Sequence, residues 1–84
     1  MRIVKTYRGV SKRIVIHYLR GLGGDQIDDN NVEGDDWRVI LSTGKVSVGP
    51  TLELNEVTVE FRGEDETLPG LVASFDQKAR RAGG

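Results

Sequence analysis

Residues 55–63 read Asn-Glu-Val-Thr-Val-Glu-Phe-Arg-Gly, and this stretch decides how the rest of the chain must fold. Val57, Val59 and Phe61 alternate with polar residues, and successive side chains of a strand point to opposite faces. The alternation therefore predicts a half-buried strand with one apolar face, which other elements must cover. We expect a turn at Asn55-Glu56 to lead the chain into this strand.

The residues after Gly63 change to helical spacing and supply one cover for that face. Pro69 falls in the first turn of the predicted helix, where its missing N–H breaks no helix hydrogen bond. Acidic residues 64–66 come before the helix and basic residues within 78–81 end it, which complements the helix dipole. The C-terminal helix is predicted to have an apolar stripe of Leu68, Leu71, Val72, Phe75 and Ala79.

A strand followed by a second helix is predicted at the start of the chain. Arg2–Arg8 has the pattern of a strand and ends at a glycine, and Ser11 is suited to cap the helix that follows. Residues 12–22 include a β-branched run that would also suit a strand, but their apolar spacing and the glycines after them favour a helix. Its buried side chains are predicted to be Ile14 or Val15, Tyr18, Leu19 and Leu22.

The middle of the chain predicts the remaining strands. Residues 25–36 are acidic and rich in turn formers, so we expect mostly loop, with a short edge strand over residues 26–32. A strand beginning at Trp37 is predicted to end at the turn signal Thr43-Gly44. Gly49-Pro50 is interpreted as a bulge or bend inside one long following strand rather than a break between two strands.

Together these segments predict an α+β fold. The element order is β-α-β(3–4)-α, with an antiparallel meander covered on one face by two helices. At 84 residues the chain is expected to be a single domain over residues 1–84. It has no cysteine, which excludes disulfides and thiolate metal sites. No apolar run is long enough for a signal peptide or a membrane span, so we expect a soluble, cytoplasmic protein.

The charges are sorted along the chain although the net charge is only −1. Residues 1–24 contain six basic residues and no acid, and residues 25–36 contain six acids and no base. A solvated surface is one interpretation, and a basic face that docks an acidic partner is the functional one. The candidate partner-binding residues are Arg2, Lys5, Arg8, Lys12, Arg13 and Arg20.

The chain ends in Gly83-Gly84, which has two interpretations. Ubiquitin-like modifiers and sulfur carriers end in two glycines because a tail without side chains can enter a narrow adenylating site. Alternatively, Gly83 caps the C-terminal helix or belongs to a flexible end. A carrier of that class has a strand before its tail, whereas this chain is predicted to have a helix there.

Residues that could carry catalysis or bind metal are sparse. His17 is the only histidine, and the serines lack a nucleophile motif. Asp29, Asn31 and Glu33 resemble part of a calcium loop, but the position of its last ligand is occupied by Ile40. We therefore expect no enzymatic activity, no metal and no cofactor. We also expect no nucleic-acid partner, because the exposed strand positions mix both charges: Arg38, Ser47, Glu53, Thr58, Glu60 and Arg62.

Taken whole, the chain resembles the C-terminal domain of MoaD-related proteins, a family of unknown function. The resemblance rests on the strand, loop and helix of residues 4–24, on Val-Ser-Val-Gly at 46–49, on Val-Thr-Val-Glu-Phe-Arg-Gly-Glu at 57–64, and on a helix ending in Gly83-Gly84. The family's fold is similar to one half of the TATA-binding protein, with one helix after the first strand, an antiparallel meander and a long C-terminal helix. A fold likeness of this kind implies nothing about DNA binding.

In some members of that family this domain follows a ubiquitin-like sulfur-carrier domain of molybdopterin synthase. The resemblance thus implies an accessory or binding role toward a sulfur-carrier or molybdenum-cofactor biosynthesis protein. We expect no carrier domain in this chain, so such a role would be exercised in trans or independently. The alternative is that the chain itself is a modifier acting through Gly83-Gly84. A meander also leaves edges and one face uncovered, which allows a homodimer.

Overall fold

A computed structural model describes the backbone of residues 1–83 and the side chains of residues 1–80. Five strands and two helices occupy the described residues in the order β-α-β-β-β-β-α, which confirms the predicted α+β class. Their bounds are β1 Arg2–Arg8, α1 Lys12–Gly21, β2 Asp25–Asp28, β3 Asn31–Glu33, β4 Trp37–Ser47, β5 Glu53–Gly63 and α2 Leu68–Gly83.

The strands form one antiparallel sheet with the order β1-β5-β4-β3-β2. β2 to β5 follow one another as a meander, and β1 joins the sheet on the far side of β5. Residues 57–61 therefore lie between two partners, with Val59 paired to Lys5 on one side and to Leu41 on the other. The stretch that decided the fold in the sequence belongs to the strand between the two longest ladders of the sheet.

Both helices pack against one face of the sheet, as predicted, with α2 over β5 and α1 over β3 and β4. Val59, Phe61 and Phe75 are fully buried. The ring of Phe75 in α2 meets the ring of Phe61 edge to face with centroids 5.6 Å apart, and Tyr7 packs on Phe75 at 5.2 Å. Such aromatic pairs contribute about 0.5–1.5 kcal/mol beyond the area they bury. The acidic residues 64–66 lie in the turn before α2, and the first turn of the helix itself contains no acid.

α1 begins at the predicted cap. The Ser11 hydroxyl accepts a hydrogen bond from the Ile14 N–H at 3.2 Å, and Leu22 ends the helix. Val15, not Ile14, faces the core, since Ile14 is 40% exposed. His17 is exposed as well.

The predicted division between β4 and β5 is wrong. β4 continues through Thr43-Gly44, and Asn55-Glu56 pairs with Lys45 and Gly44 inside the ladder. The reversal instead occurs at Gly49-Pro50, where Gly49 has φ 89° and the Val48 N–H donates to the Leu52 carbonyl at 2.7 Å. Alternating side chains are compatible with either division, so the pattern alone could not locate the turn.

The acidic segment also contains more structure than predicted. Instead of one edge strand, β2 and β3 form a short hairpin. The Asp28 carboxylate accepts hydrogen bonds from the Asn30 N–H at 2.8 Å and from the Asn31 side chain at 2.9 Å. The hydrogen bond from Asn31, followed by that from Asn30, lowers the pKa of Asp28. The sequence signal for this turn is the run Asp-Asp-Asn-Asn at residues 28–31.

Trp37 packs where only glycine leaves room for its indole ring. A Cβ atom on Gly34 would lie 2.1 Å from the Trp37 ring, and one on Gly24 would lie 2.6 Å from it. On Gly63, a Cβ would lie 2.7 Å from the Asp36 carbonyl. Three glycines from separate parts of the chain therefore fix the position of Trp37 at the end of the sheet.

We expect Gly34→Ala to lower the free energy of unfolding by about 1–3 kcal/mol, because the added methyl group overlaps the indole ring. Gly44→Ala is the matched control, since a Cβ there meets nothing within 4 Å. The control should change stability by less than about 0.5 kcal/mol. Urea unfolding followed by tryptophan fluorescence measures both, and equal midpoints for the two variants would contradict this packing.

Candidate functional site

The structure divides the six predicted partner-binding residues among three places. Side chains alternate along β1, so Arg2 and Arg8 lie on the sheet face without helices, and Lys5 points toward α2. The other three residues lie on or at the start of α1: Lys12, Arg13 and Arg20. The basic start of the chain is therefore not one continuous binding surface.

The cations on the helix-free face of the sheet are neutralised by neighbouring acids. Arg2 lies 3.0 Å from Glu60, which also binds Arg62, and Arg8 lies 3.4 Å from Glu56. The hydrogen bond from Arg2, with a further one from Arg62, lowers the pKa of Glu60. Exposed pairs contribute little to stability, but they leave few uncompensated charges on this face.

Lys5 belongs to a half-buried cluster between β1 and α2. Its ammonium lies 3.1 Å from one Asp76 oxygen, and the Tyr7 hydroxyl donates to the other. Burial opposes ionisation of Asp76, but the hydrogen bonds from Tyr7 and Lys5 outweigh it and lower its pKa. Burial, then the hydrogen bond to Asp76 and its charge, raise the pKa of Tyr7. The cluster holds α2 to the edge of the sheet.

This cluster could not be predicted directly from the sequence. Lys5 and Tyr7 share the helix side of β1, and Asp76 follows Phe75 in α2, but only the packing of α2 across the sheet brings them together. The spacing of Lys5 and Tyr7 on one face of a strand was the available signal.

The outer face of α1, formed by Arg13, His17 and Arg20, is different in character. The three side chains are exposed at i, i+4 and i+7. Neither arginine forms an ion pair with any residue whose side chain the structure describes. His17 and Arg20 line two open cavities of about 440 and 610 Å³, one shared with Arg13 and the other with Lys78.

The cavities beside this face have polar opposite walls. Gln26 and Asp29 line the smaller cavity, and Asp25 lines the larger one. Lys12, at the start of α1, donates to the Asn30 side chain at 3.1 Å and so joins α1 to the β2–β3 turn. The outer face of α1 therefore presents two unpaired guanidinium groups beside open space that a partner's side chains could enter.

A family model described as archaeal MoaD-like protein matches residues 3–84 of the chain. The chain belongs to this family. None of the curated proteins matches it. The family match agrees with the resemblance found in the sequence, and it spans β1 through the terminal glycines of this MoaD-like protein.

The terminal glycines of the MoaD-like chain are only partly described. Gly83 is the last residue of α2, so the helix reaches the Gly-Gly pair. The prediction for Gly84 lies outside the described residues.

Two of the three calcium-like residues of this MoaD-like chain have structural partners. Asn31 and Glu33 belong to β3, and Glu33 accepts a hydrogen bond from Arg38 at 2.8 Å. Among residues 1–83, no group of three or more His, Asp or Glu side chains is arranged to hold a metal ion. None of the helices in that range is long and apolar enough to cross a bilayer.

We expect Asp76→Asn to destabilise this MoaD-like protein by about 1–2 kcal/mol at pH 7, because Lys5 and Tyr7 lose a charged partner. The folded pKa of Asp76 lies below the ordinary value of 3.8, so its carboxylate stabilises the fold above that pH. This stabilisation is lost as the pH falls through the folded pKa, and the difference between the two proteins should then close.

Urea unfolding at a series of pH values measures this effect. Asp29→Asn is the matched control, since it removes the same charge from an exposed turn. A pH-independent difference for Asp76→Asn, or an equal effect of the control, would contradict the role of the Asp76 carboxylate.

Proposed function

We propose that this protein is a non-enzymatic binding domain that docks an acidic surface of a sulfur-carrier or molybdenum-cofactor biosynthesis protein. Membership in the archaeal MoaD-like family supports the biological setting. The outer face of α1 supports the mode of binding, because it carries cations that the fold does not use.

The observation that carries the proposal is the contrast between two groups of cations. Arg2, Lys5 and Arg8 each have an acidic partner within 3.4 Å. Arg13 and Arg20 have none among the described side chains. Unpaired guanidinium groups on a rigid helix are suited to bind carboxylates of a partner and to steer its approach.

The chemistry of the ionisable groups supports a role without catalysis. The groups with shifted pKa values are each engaged in hydrogen bonds that hold the fold: Tyr7 and Asp76 between β1 and α2, Glu60 across the sheet, and Asp28 in a turn. Structural hydrogen bonds and ion pairs also perturb pKa values, so a shift alone does not mark a functional site. Each of these four groups has such a structural partner.

We expect the double variant Arg13→Glu/Arg20→Glu to lose its partner. The matched control is Arg2→Glu/Arg8→Glu, which makes the same change in net charge on the opposite side of the sheet. Each tagged protein is expressed in the native host, and co-purifying proteins are quantified by mass spectrometry. The α1 variant should recover at least about tenfold less of an acidic partner, a loss of about 1.4 kcal/mol, whereas the control should match the wild type.

Equal recovery by the α1 variant and the wild type would overturn docking through this face. Equal loss in both double variants would show a dependence on total charge rather than on α1. Circular dichroism and urea unfolding establish that each variant is folded, which is expected because all four substituted arginines are exposed.

The second candidate function is that of a modifier or sulfur carrier activated at Gly84. The family match through residue 84 and the Gly-Gly ending favour it. In that case the protein from the native host should carry a thiocarboxylate or appear as an adduct with other proteins, and deletion of Gly83-Gly84 should abolish both. Intact-mass spectrometry and immunoblotting test this, and a wild-type protein of unmodified mass without adducts would end the carrier hypothesis.

A further inference from the structure

β1 forms one open edge of the sheet, and its backbone pattern shows which groups face outward. The Met1 ammonium donates to the Gly63 carbonyl at 3.0 Å, the Gly63 N–H returns a bond to Met1 at 3.2 Å, and Gly9 donates to Asn55 at 2.8 Å. In an antiparallel ladder such pairs alternate, so the odd-numbered residues of β1 bond β5. The N–H and C=O groups that point away from the sheet belong to Arg2, Val4, Thr6 and Arg8.

An open cleft of about 340 Å³ lies beside this edge, between β1 and α2. Two cations, Lys5 and Arg80, line it against the single carboxylate of Asp76. Arg8 also borders the cleft, but its charge is paired with Glu56 on the other face of the sheet. Tyr7 lines the same cleft and provides an aromatic wall. The free backbone groups of the edge and an excess of positive charge therefore occur side by side.

We propose that β1 binds an extended acidic segment of a partner polypeptide as an added sixth strand. The backbone of that segment would bond the outward groups of β1, and every second side chain would point to the α2 side of the sheet. A carboxylate at such a position would enter the cleft near Lys5 and Arg80. Main-chain bonds give affinity in this mode of recognition, and alternate side chains give specificity.

A second copy of the chain fits this edge poorly. If two β1 strands paired antiparallel over their whole length, Lys5 would lie opposite Lys5, and Arg2 opposite Arg8. Like charges in directly opposite positions are destabilising. The acidic edge β2 has the right charge, but it has only four residues and an irregular register between Gln26 and Asp28. A strand from another protein avoids both problems.

The direction of the Thr6 N–H allows a selective test. Thr6→Pro removes an outward donor from β1 but no hydrogen bond of the β1–β5 ladder, because proline is tolerated on an edge strand when its nitrogen faces solvent. Thr6→Ala is the matched control, since it shortens the same side chain and keeps the N–H. Circular dichroism and urea unfolding show that both variants are folded before binding is measured.

The probe is a fluorescein-labelled peptide in which glutamate and valine alternate, and its counterpart contains lysine in place of glutamate. Fluorescence anisotropy with the full chain should show binding of the glutamate peptide. We expect Thr6→Pro to weaken that binding by at least about tenfold, which is about 1.4 kcal/mol. Thr6→Ala should bind as the wild type does, and Lys5→Gln/Arg80→Gln should weaken binding of the glutamate peptide.

Three results would overturn the proposal: no binding of the glutamate peptide, equal affinity for the lysine peptide, or equal affinities of Thr6→Pro and Thr6→Ala. Self-association of the wild type that Thr6→Pro abolishes, measured by sedimentation velocity, would assign the edge to a second copy instead. The Arg13→Glu/Arg20→Glu variant should bind the glutamate peptide nearly as the wild type does. Failure of this site is thus distinguishable from failure of docking through α1.

Discussion

The burial of one face of β5 beneath α2 is the contact on which the rest of the structure depends. Phe61 and Phe75 meet edge to face at its centre, and both are fully inaccessible to solvent. β5 bonds β1 on one side and β4 on the other, so fixing its apolar face also fixes which side chains of both neighbours point inward. Tyr7 of β1 is half-buried and Leu41 of β4 is buried for that reason. A one-residue slip of β5 would expose all of these side chains together.

The sequence predicted those features that depend on periodicity alone. The alternation of Val57, Val59 and Phe61, and the helical stripe that contains Phe75, each have only one periodic interpretation. The position of the β4–β5 turn could not be predicted in the same way, because a reversal at Gly49-Pro50 keeps the same residues on each face as a bend would. The ion pairs could not be predicted from the sequence either, because the pairing of Arg2 with Glu60 depends on the register between β1 and β5.

The distribution of charge shows why total charge says little about binding. The basic start of the chain contributes cations to both faces of β1 and to α1, and the fold neutralises those of β1 with acids from β5 and α2. Arg13 and Arg20 lie beyond the reach of those acids, on the outside of the helix. The charged residues available to bind a partner are therefore those that form no ion pair within the fold.

The pairing of β1 with β5 affects how the protein can fold during its synthesis on the ribosome. Met1 bonds Gly63, a separation of 62 residues along the chain. β1 therefore cannot enter the sheet until β5 has been synthesised, and α2, which covers the core, follows β5 along the chain. Contacts between distant parts of a chain slow folding, because a large loop must close before they form. Until then, the apolar side chains of β1 and α1 lack the cover that β5 and α2 provide in the folded protein.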